Sequence, residues 1–369
     1  MLRSARFAIL SVVAILAIQS TATAREIIDS TGRAVTIPER VSRVICSGAG
    51  SLRLLTYLGA QDKVVAVDDM ETRRQQFDAR PYALANPQFS AMPVFGEFRG
   101  FDRPEQILSL DPQPEVILKA IVTGTGIDPV DLEKKTGIPV VTIHFGNLGT
   151  QRGRLYAALR IMADVVDRKA RAEEVIAFFD GRIADLRRRS EIGSAGASPT
   201  VYIGGVAYRG PHGFQATEPT YPPFDFVGLR NVANRADGIA KDLPHANVAK
   251  EMIVKWNPDF LFLDLATLQL GNTGGGLSEL RTDPSYRSLT AVREGRVHGL
   301  LPYNWYSQNF GSILANAYFI GRLVWPQGFQ DITPADEADA IYTFLVGRPV
   351  FEAMNASFGN LAYIPVPLQ

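Results

Sequence analysis

LYAALRIMADVVDRKARAEEVIAFFDGRIADL, running from Leu155 to Leu186, is the stretch on which the fold turns. Leu155, Leu159, Met162, Val165, Val166, Ile176, Phe179, Ile183 and Leu186 recur at helical spacing, and charges fill the other face. No proline interrupts it. The pattern predicts one helix of about 30 residues, or about 45 Å at a rise of 1.5 Å per residue. It ends at EIGSAGASP (191–199), a loop rich in glycine and serine. What lies on either side decides what this helix joins.

Before it, short apolar runs alternate with helical patterns. Val44-Ile45 leads into Gly48-Ala49-Gly50 and SLRLLTYLG, which reads as strand, tight loop and helix. KVVAV (63–67), PEVILKA (114–120) and IPVVTIH (138–144) read as strands, with PEQILSLDP and VDLEKKTG as the helices between them. After it, TVYIGG (200–205), PDFLFLDL (258–265) and GRVHGLL (295–301) read as strands. Helices follow at QNFGSILANAYFIGRLVW (308–325) and ADEADAIYTFLVG (335–347), the latter closing on the C-terminal lobe. Strands alternating with helices imply parallel sheet. The expected fold is α/β: two α/β lobes with central parallel sheets, joined by one long α-helix, with a ligand cleft between them. The boundaries are a signal peptide at 1–24, an N-terminal lobe at 25–150, a connecting helix at 151–192, and a C-terminal lobe with terminal helices at 193–369. Glu105-Gln-Ile-Leu-Ser-Leu-Asp-Pro112 aligns with Glu251-Met-Ile-Val-Lys-Trp-Asn-Pro258, so the two halves read as a repeated lobe.

The 369 residues are 46% hydrophobic and 21% charged, an ordinary globular composition with room for two cores. Lys plus Arg and Asp plus Glu are both 38, so no basic excess points to nucleic acid. MLRSARFAILSVVAILAIQSTATA has Arg3 and Arg6, an apolar run from Phe7 to Ile18, and Ala22-Thr23-Ala24. That is the pattern of a cleaved signal peptide, and it predicts a periplasmic protein starting at about Arg25. Taking Arg3 and Arg6 from the 38 basic residues leaves 36 against 38 acidic, a net charge near −2. Cys46 is the only cysteine, which excludes an internal disulfide and reads as a buried structural thiol.

Loops at the C-terminal ends of strands face the cleft. No HExxH, G-x-S-x-G or Walker pattern occurs, and His144, His212, His245 and His298 lie far apart in sequence. Neither catalysis nor a resident metal or cofactor is expected. GAGS (48–51), with Ser51, either offers a helix N-terminus to an anionic group or is a glycine turn that lets strand and helix pack. In FGEFRGFDRPE (95–105), Arg99 stands among Phe95, Phe98 and Phe101; it either grips a carboxylate or catecholate or is an exposed loop arginine. Asp102 and Glu105 also form a D-x-x-E capping box. In VAYRGPHGFQAT (206–217), Tyr208, Arg209, His212 and Phe214 either suit recognition of a flat or bulky anionic chelate or belong to a plain surface loop. In YNWYSQNFG (303–311), Tyr303, Trp305 and Tyr306 either wall the pocket or anchor the last helix.

DSTGRAVTIPERVSRVIC, LTYLGAQDKVVAVDD, the PEQILSLDPQPEVIL block, KKTGIPVVTI and the long helix resemble periplasmic substrate-binding proteins of ABC importers for ferric siderophores, haem and vitamin B12. The likeness runs from about Asp29 to Trp325. It implies two lobes on one helix, and delivery of a metal chelate to a membrane permease dimer. It also implies that Glu105 and Glu251 are the surface glutamates docking to that permease. The expected cargo is an iron chelate, foremost a ferric siderophore, with haem, a corrinoid or an oxyanion such as molybdate still open. The protein is expected to be a monomer that binds no nucleic acid. A chelatase-like enzyme and a periplasmic sensor are the rival readings from other classes.

Overall fold

The computed structural model describes residues 23–73, 75–121, 125–193, 198–234, 243–271 and 273–368. The signal-peptide reading of 1–24 falls almost wholly outside these residues. The chain opens on an antiparallel hairpin, β1 (Ala24–Ile28) with β2 (Ala34–Pro38). Its turn is held by the Asp29 carboxylate, which accepts hydrogen bonds from the backbone N–H of Thr31 and Arg33.

The first lobe follows as β3 (Val44–Ser47), α1 (Ser51–Tyr57), β4 (Val64–Asp68), α2 (Asp69–Thr72), α3 (Pro81–Ala85), β5 (Val94–Glu97), β6 (Phe101–Asp102), α4 (Pro104–Leu108), β7 (Val116–Ala120), α5 (Pro129–Thr136) and β8 (Val140–Ile143). The sheet order is β6-β5-β4-β3-β7-β8, parallel except for the short β6 against β5. Strands β3, β7 and β8 are buried at every position. That is why the sequence shows them as mainly apolar runs and not as alternation, with Ser47, Lys119 and Thr142 as buried polar exceptions.

The connecting stretch is two helices where the periodicity predicts one. They are α6 (Arg152–Val166) and α7 (Lys169–Gly193). Asp167 takes a left-handed φ of 57°, and Arg168 N–H closes back on the Ala163 carbonyl at 2.8 Å. This is a helix stop of the kind glycine usually supplies, made here by an aspartate, a residue that tolerates the conformation. The apolar spacing hides the break because both helices bury a face toward the same interior. Helix α6 packs on β1, β8 and α1 and so belongs to the first lobe; α7, about 37 Å long at its 25 residues, is the connector.

The second lobe contains β9 (Val201–Gly204), β10 (Ala216–Thr217), α8 (Pro222–Phe226), β11 (Ala246–Asn247), α9 (Lys250–Trp256), β12 (Phe260–Asp264), α10 (Gly275–Thr282), α11 (Pro284–Arg287), α12 (Thr290–Arg293) and β13 (Val297–Leu300). Its parallel sheet has the order β13-β12-β9, and β10 pairs with β11 antiparallel beside it. The three expected strands of this lobe are all present.

Three helices end the chain: α13 (Phe310–Val324), α14 (Pro334–Val346) and α15 (Phe351–Ser357). The sequence places α14 with the second lobe. In the structure α14 packs on α13 but also on α1 and α3 of the first lobe, and α15 packs on α14 and α3. Phe344 of α14 stacks on Phe178 of α7 at 4.0 Å, with the Arg171 guanidinium 4.2 Å from its ring centroid. A single apolar core therefore runs from Val44 and Leu55 through Phe179 to Phe310, Tyr342 and Met354. Smaller clusters cover the outer face of each sheet, around Phe95 and Ile117 in one lobe and around Tyr202 and Leu261 in the other.

Two lobes sharing one close-packed core resist hinge motion. Small-angle scattering with and without ligand should give the same radius of gyration within error. A change of several ångströms would show that the seam opens.

Candidate functional site

Loops from the C-terminal ends of β3, β4, β5, β9 and β13 converge between the lobes. The segment after β13, Tyr303 to Asn309, crosses from one lobe to the other as a strap. On the second-lobe side, Tyr303 donates its hydroxyl to Glu218, and Asn304 Nδ2 donates to the Ala207 carbonyl at 2.6 Å. On the first-lobe side, Tyr306 donates its hydroxyl to Asp68, and Trp305 Nε1 donates to Gln75 Oε1 at 3.3 Å. Asn309 N–H closes the strap onto the Tyr303 carbonyl at 2.7 Å. Tyr306 and Ser307 both hold left-handed φ, 47° and 71°.

Either side of the strap stands an arginine loop. The Tyr306 ring lies 6.1 Å from that of Phe98, and the guanidinium groups of Arg73 and Arg99 each lie 4.9 Å from the Phe98 centroid. In the second lobe, Arg209 lies 5.5 Å from the ring of Tyr208. Tyr208 stacks on His245 at 4.4 Å, and His212 sits 5.7 Å from His245 while its Nε2 meets the Tyr208 carbonyl at 2.8 Å. Arg99 and Arg209 are both exposed and both left-handed, with φ of 63° and 57°. A non-glycine residue in that region is held there by its surroundings and re-aims its side chain.

Other predicted residues are placed differently. The Ser51 hydroxyl points inward and donates to the Leu118 carbonyl at 2.9 Å, so it is not presented to a ligand. Gly48 stands against the Ala120 carbonyl with no room for a side chain. GAGS is thus a packing turn, and α1, at 7 residues, is a single short helix behind it. Trp305 is 8% exposed and packs edge-on against Phe358 at 5.7 Å, so it anchors more than it walls. Tyr306 is half-buried with its hydroxyl committed to Asp68. Phe214 is fully buried against Tyr202 and Tyr286 in the second-lobe core. The D-x-x-E capping box does not form: Arg103 occupies the N-cap of α4, and Asp102 is drawn into a buried pair with Lys119. Glu105 and Glu251 are exposed, each the second residue of its helix, α4 and α9.

The sequence reading missed His245, Arg73 and Arg53. His245 lies 33 positions from His212, and only the fold brings the two together. Arg53 had a signal, being the lone charge in the apolar helix SLRLLTYLG. Among the described residues no group of three or more His, Cys, Asp or Glu gathers in the manner of a metal site. Cys46 is buried and free, its thiol pushed up to about 12 by burial. The carboxyls under the strap are also pushed up by burial, Asp68 to about 7 and Glu218 to about 8.

Residues 44–303 match the model of the periplasmic binding protein family, and the chain belongs to that family. It is a solute-binding protein of the kind that serves ABC importers, not an enzyme. Among solved structures it resembles the Haemophilus influenzae molybdate periplasmic binding protein MolA, with 18% identity, a TM-score of 0.66 and coverage of 88% of this chain and 98% of that one. A periplasmic solute binding protein from Veillonella parvula gives 16% identity, a TM-score of 0.67 and coverage of 93% and 98%. The heme binding protein HmuT gives 17% identity, a TM-score of 0.52 and coverage of 87% and 96%. At these identities the likeness is one of fold. None of the curated proteins matches the chain in sequence.

A raised carboxyl makes a pH prediction. Glu218 ionises at about 8 when folded against an ordinary 4.5, so the folded state holds the proton more tightly. Its contribution to stability is full below pH 4.5 and is lost as pH rises through about 8. Melting temperatures of the wild type should fall across that window more steeply than those of Glu218→Gln. Equal slopes would show that Glu218 does not keep its proton.

Proposed function

We propose that the chain carries an anionic metal chelate, foremost a ferric siderophore, and hands it to the permease dimer of an ABC importer. The observation that supports this most is the pairing of Arg99 with Arg209. One stands on each lobe, each is exposed, each is left-handed, and each lies beside an aromatic ring. Cationic forks backed by rings suit flat, electron-rich groups bearing carboxylate or catecholate oxygens. A haem reading has an observation of its own: Tyr208, His245 and His212 stand together, and a phenolate or an imidazole can ligate ferric iron. The segment 1–24 serves in this reading as the export signal, and the mature protein works in the periplasm as a monomer.

The absorbance spectrum and metal content of protein taken from its native periplasm test the cargo. A charge-transfer band with bound iron is expected. A Soret band makes the cargo haem, a corrin spectrum makes it a corrinoid, and a colourless oxyanion removes the chelate. Arg99→Ala and Arg209→Ala should each weaken binding about tenfold or more, because a charge-assisted contact is worth roughly 1.5–3 kcal/mol. Calorimetry showing wild-type affinity in both removes them from the site.

Docking follows the repeat. Glu105 and Glu251 are exposed at equivalent positions of α4 and α9, each on the helix that precedes a core strand. Two like carboxylates on two like lobes suit a partner of roughly two-fold symmetry. Exposed charge pairs add little affinity but steer and orient association. The double variant Glu105→Ala, Glu251→Ala should keep ligand affinity and lose transport, more so at low salt. Normal transport, or loss of ligand binding along with transport, rules the assignment out.

A further inference from the structure

Beneath the strap lies a charge that the rim of the cleft does not use. Arg53 of α1 is 1% exposed, yet its Nε and Nη1 have no hydrogen-bond partner. Its guanidinium lies 5.5 Å from the Phe310 ring centroid. The nearby carboxylate of Glu71 is already held, by Arg80 at 2.9 Å and by the Tyr82 hydroxyl at 2.6 Å. Buried cations with unmade hydrogen bonds destabilise a fold and call for a reason. The surroundings supply one. Gly50, at a φ of 90°, has no space for a side chain, because the Arg53 guanidinium and Ser307 of the strap both crowd the place a Cβ would take. Guanidinium, glycine and strap thus meet at one point. The strap itself is poorly settled: Tyr306 and Ser307 are left-handed, and Gln308 Oε1 and Asn309 Oδ1 are buried without partners.

We propose that Arg53 is a second anion-binding group of this cleft, covered by the strap at Trp305–Ser307, and that an oxyanion group of the ligand takes its free Nε and Nη1 hydrogens when the strap lifts. The proposal rests on the reading of the cleft as an anion-binding one and adds the residue deepest within it. The strap ties Tyr306 to Asp68 and Trp305 to Gln75, and Asn309 Nδ2 donates to the Trp305 and Ser307 carbonyls, so lifting it breaks both bonds to the first lobe and loosens these, and it frees the guanidinium for a stronger, charge-assisted pair. Binding is then opposed by the strap and favoured by relief of the unpartnered charge.

Calorimetric titration with molybdate, a bare oxyanion, and with ferric citrate, whose carboxylates ride on a chelate, tests this. Arg53→Met keeps the bulk and removes the charge. It should lower affinity for whichever probe binds by about tenfold or more. Its melting temperature should equal or exceed that of the wild type, since an unpartnered buried cation is gone. Tyr306→Phe, which releases the strap from Asp68, should raise affinity several-fold and speed association. Binding of molybdate alone would mark a bare oxyanion as the group at Arg53, and binding of ferric citrate alone a carboxylate on a chelate. If Arg53→Met loses both affinity and stability, Arg53→Lys decides: partial recovery of affinity upholds the role, and no recovery ends it. Unchanged affinity in Arg53→Met, wild-type binding in Tyr306→Phe, or binding of neither probe to wild type and Tyr306→Phe overturns the proposal. Loss of affinity in Arg99→Ala and Arg209→Ala with Arg53→Met unaffected would leave the cleft standing as an anion site and remove only Arg53.

Discussion

Helix α13 has no polar face. Of its 15 residues, Phe310 to Gly321 are buried without a break. A helix apolar all round has to be covered all round, and the rest of the molecule is arranged to do it. The connector α7 lies on one side, α8 and the turn Pro326–Phe329 on others, and α14 closes the remaining flank. Its few polar side chains are satisfied internally: Ser312 pairs with the Tyr342 hydroxyl, and Asn316 donates to the Leu301 carbonyl and accepts from Tyr363. Because α14 also lies on α1 and α3, the demand of one helix for cover draws the two lobes into a single core.

That same constraint places the strap. Asn309 is the N-cap of α13, so Tyr303–Asn309 is the segment that feeds the central helix, and its Asn309 end is anchored there. The two left-handed arginines stand on either side of this segment. Loop backbones already held in the left-handed region suit recognition by charge, since presenting their side chains costs little further ordering.

Much of the scaffold was legible in the sequence. Strands β3, β4, β7, β8, β9, β12 and β13 are apolar runs bounded by Gly, Pro or Asp, and hydrophobic burial writes such runs directly into the chain. The break at Asp167 was not legible, because the apolar spacing continues across it and VVDRKA carries no glycine or proline. Nor was the return of α14 to the first lobe, since amphipathicity says that a face is buried and not against what. At the candidate site, strand ends indicate where the loops that carry Arg99, Tyr208, Arg209 and His212 point. Ser51 and Phe214 were misjudged because alternation cannot tell a hydroxyl or ring aimed at the cleft from one turned into the sheet. His245 and Arg53 depend on tertiary proximity alone.

The position of α14 and α15 also bears on the order in which the molecule can assemble. A chain emerging from its N-terminus forms the six strands of the first lobe early, but the faces of α1 and α3 stay bare until residues 334–357 arrive. Local contacts form readily, whereas closure over some 250 intervening residues waits for nearly the whole polypeptide. The first lobe is therefore incomplete by construction until the end of the chain is in hand. Final closure of the first lobe is thus tied to the arrival of α14 and α15.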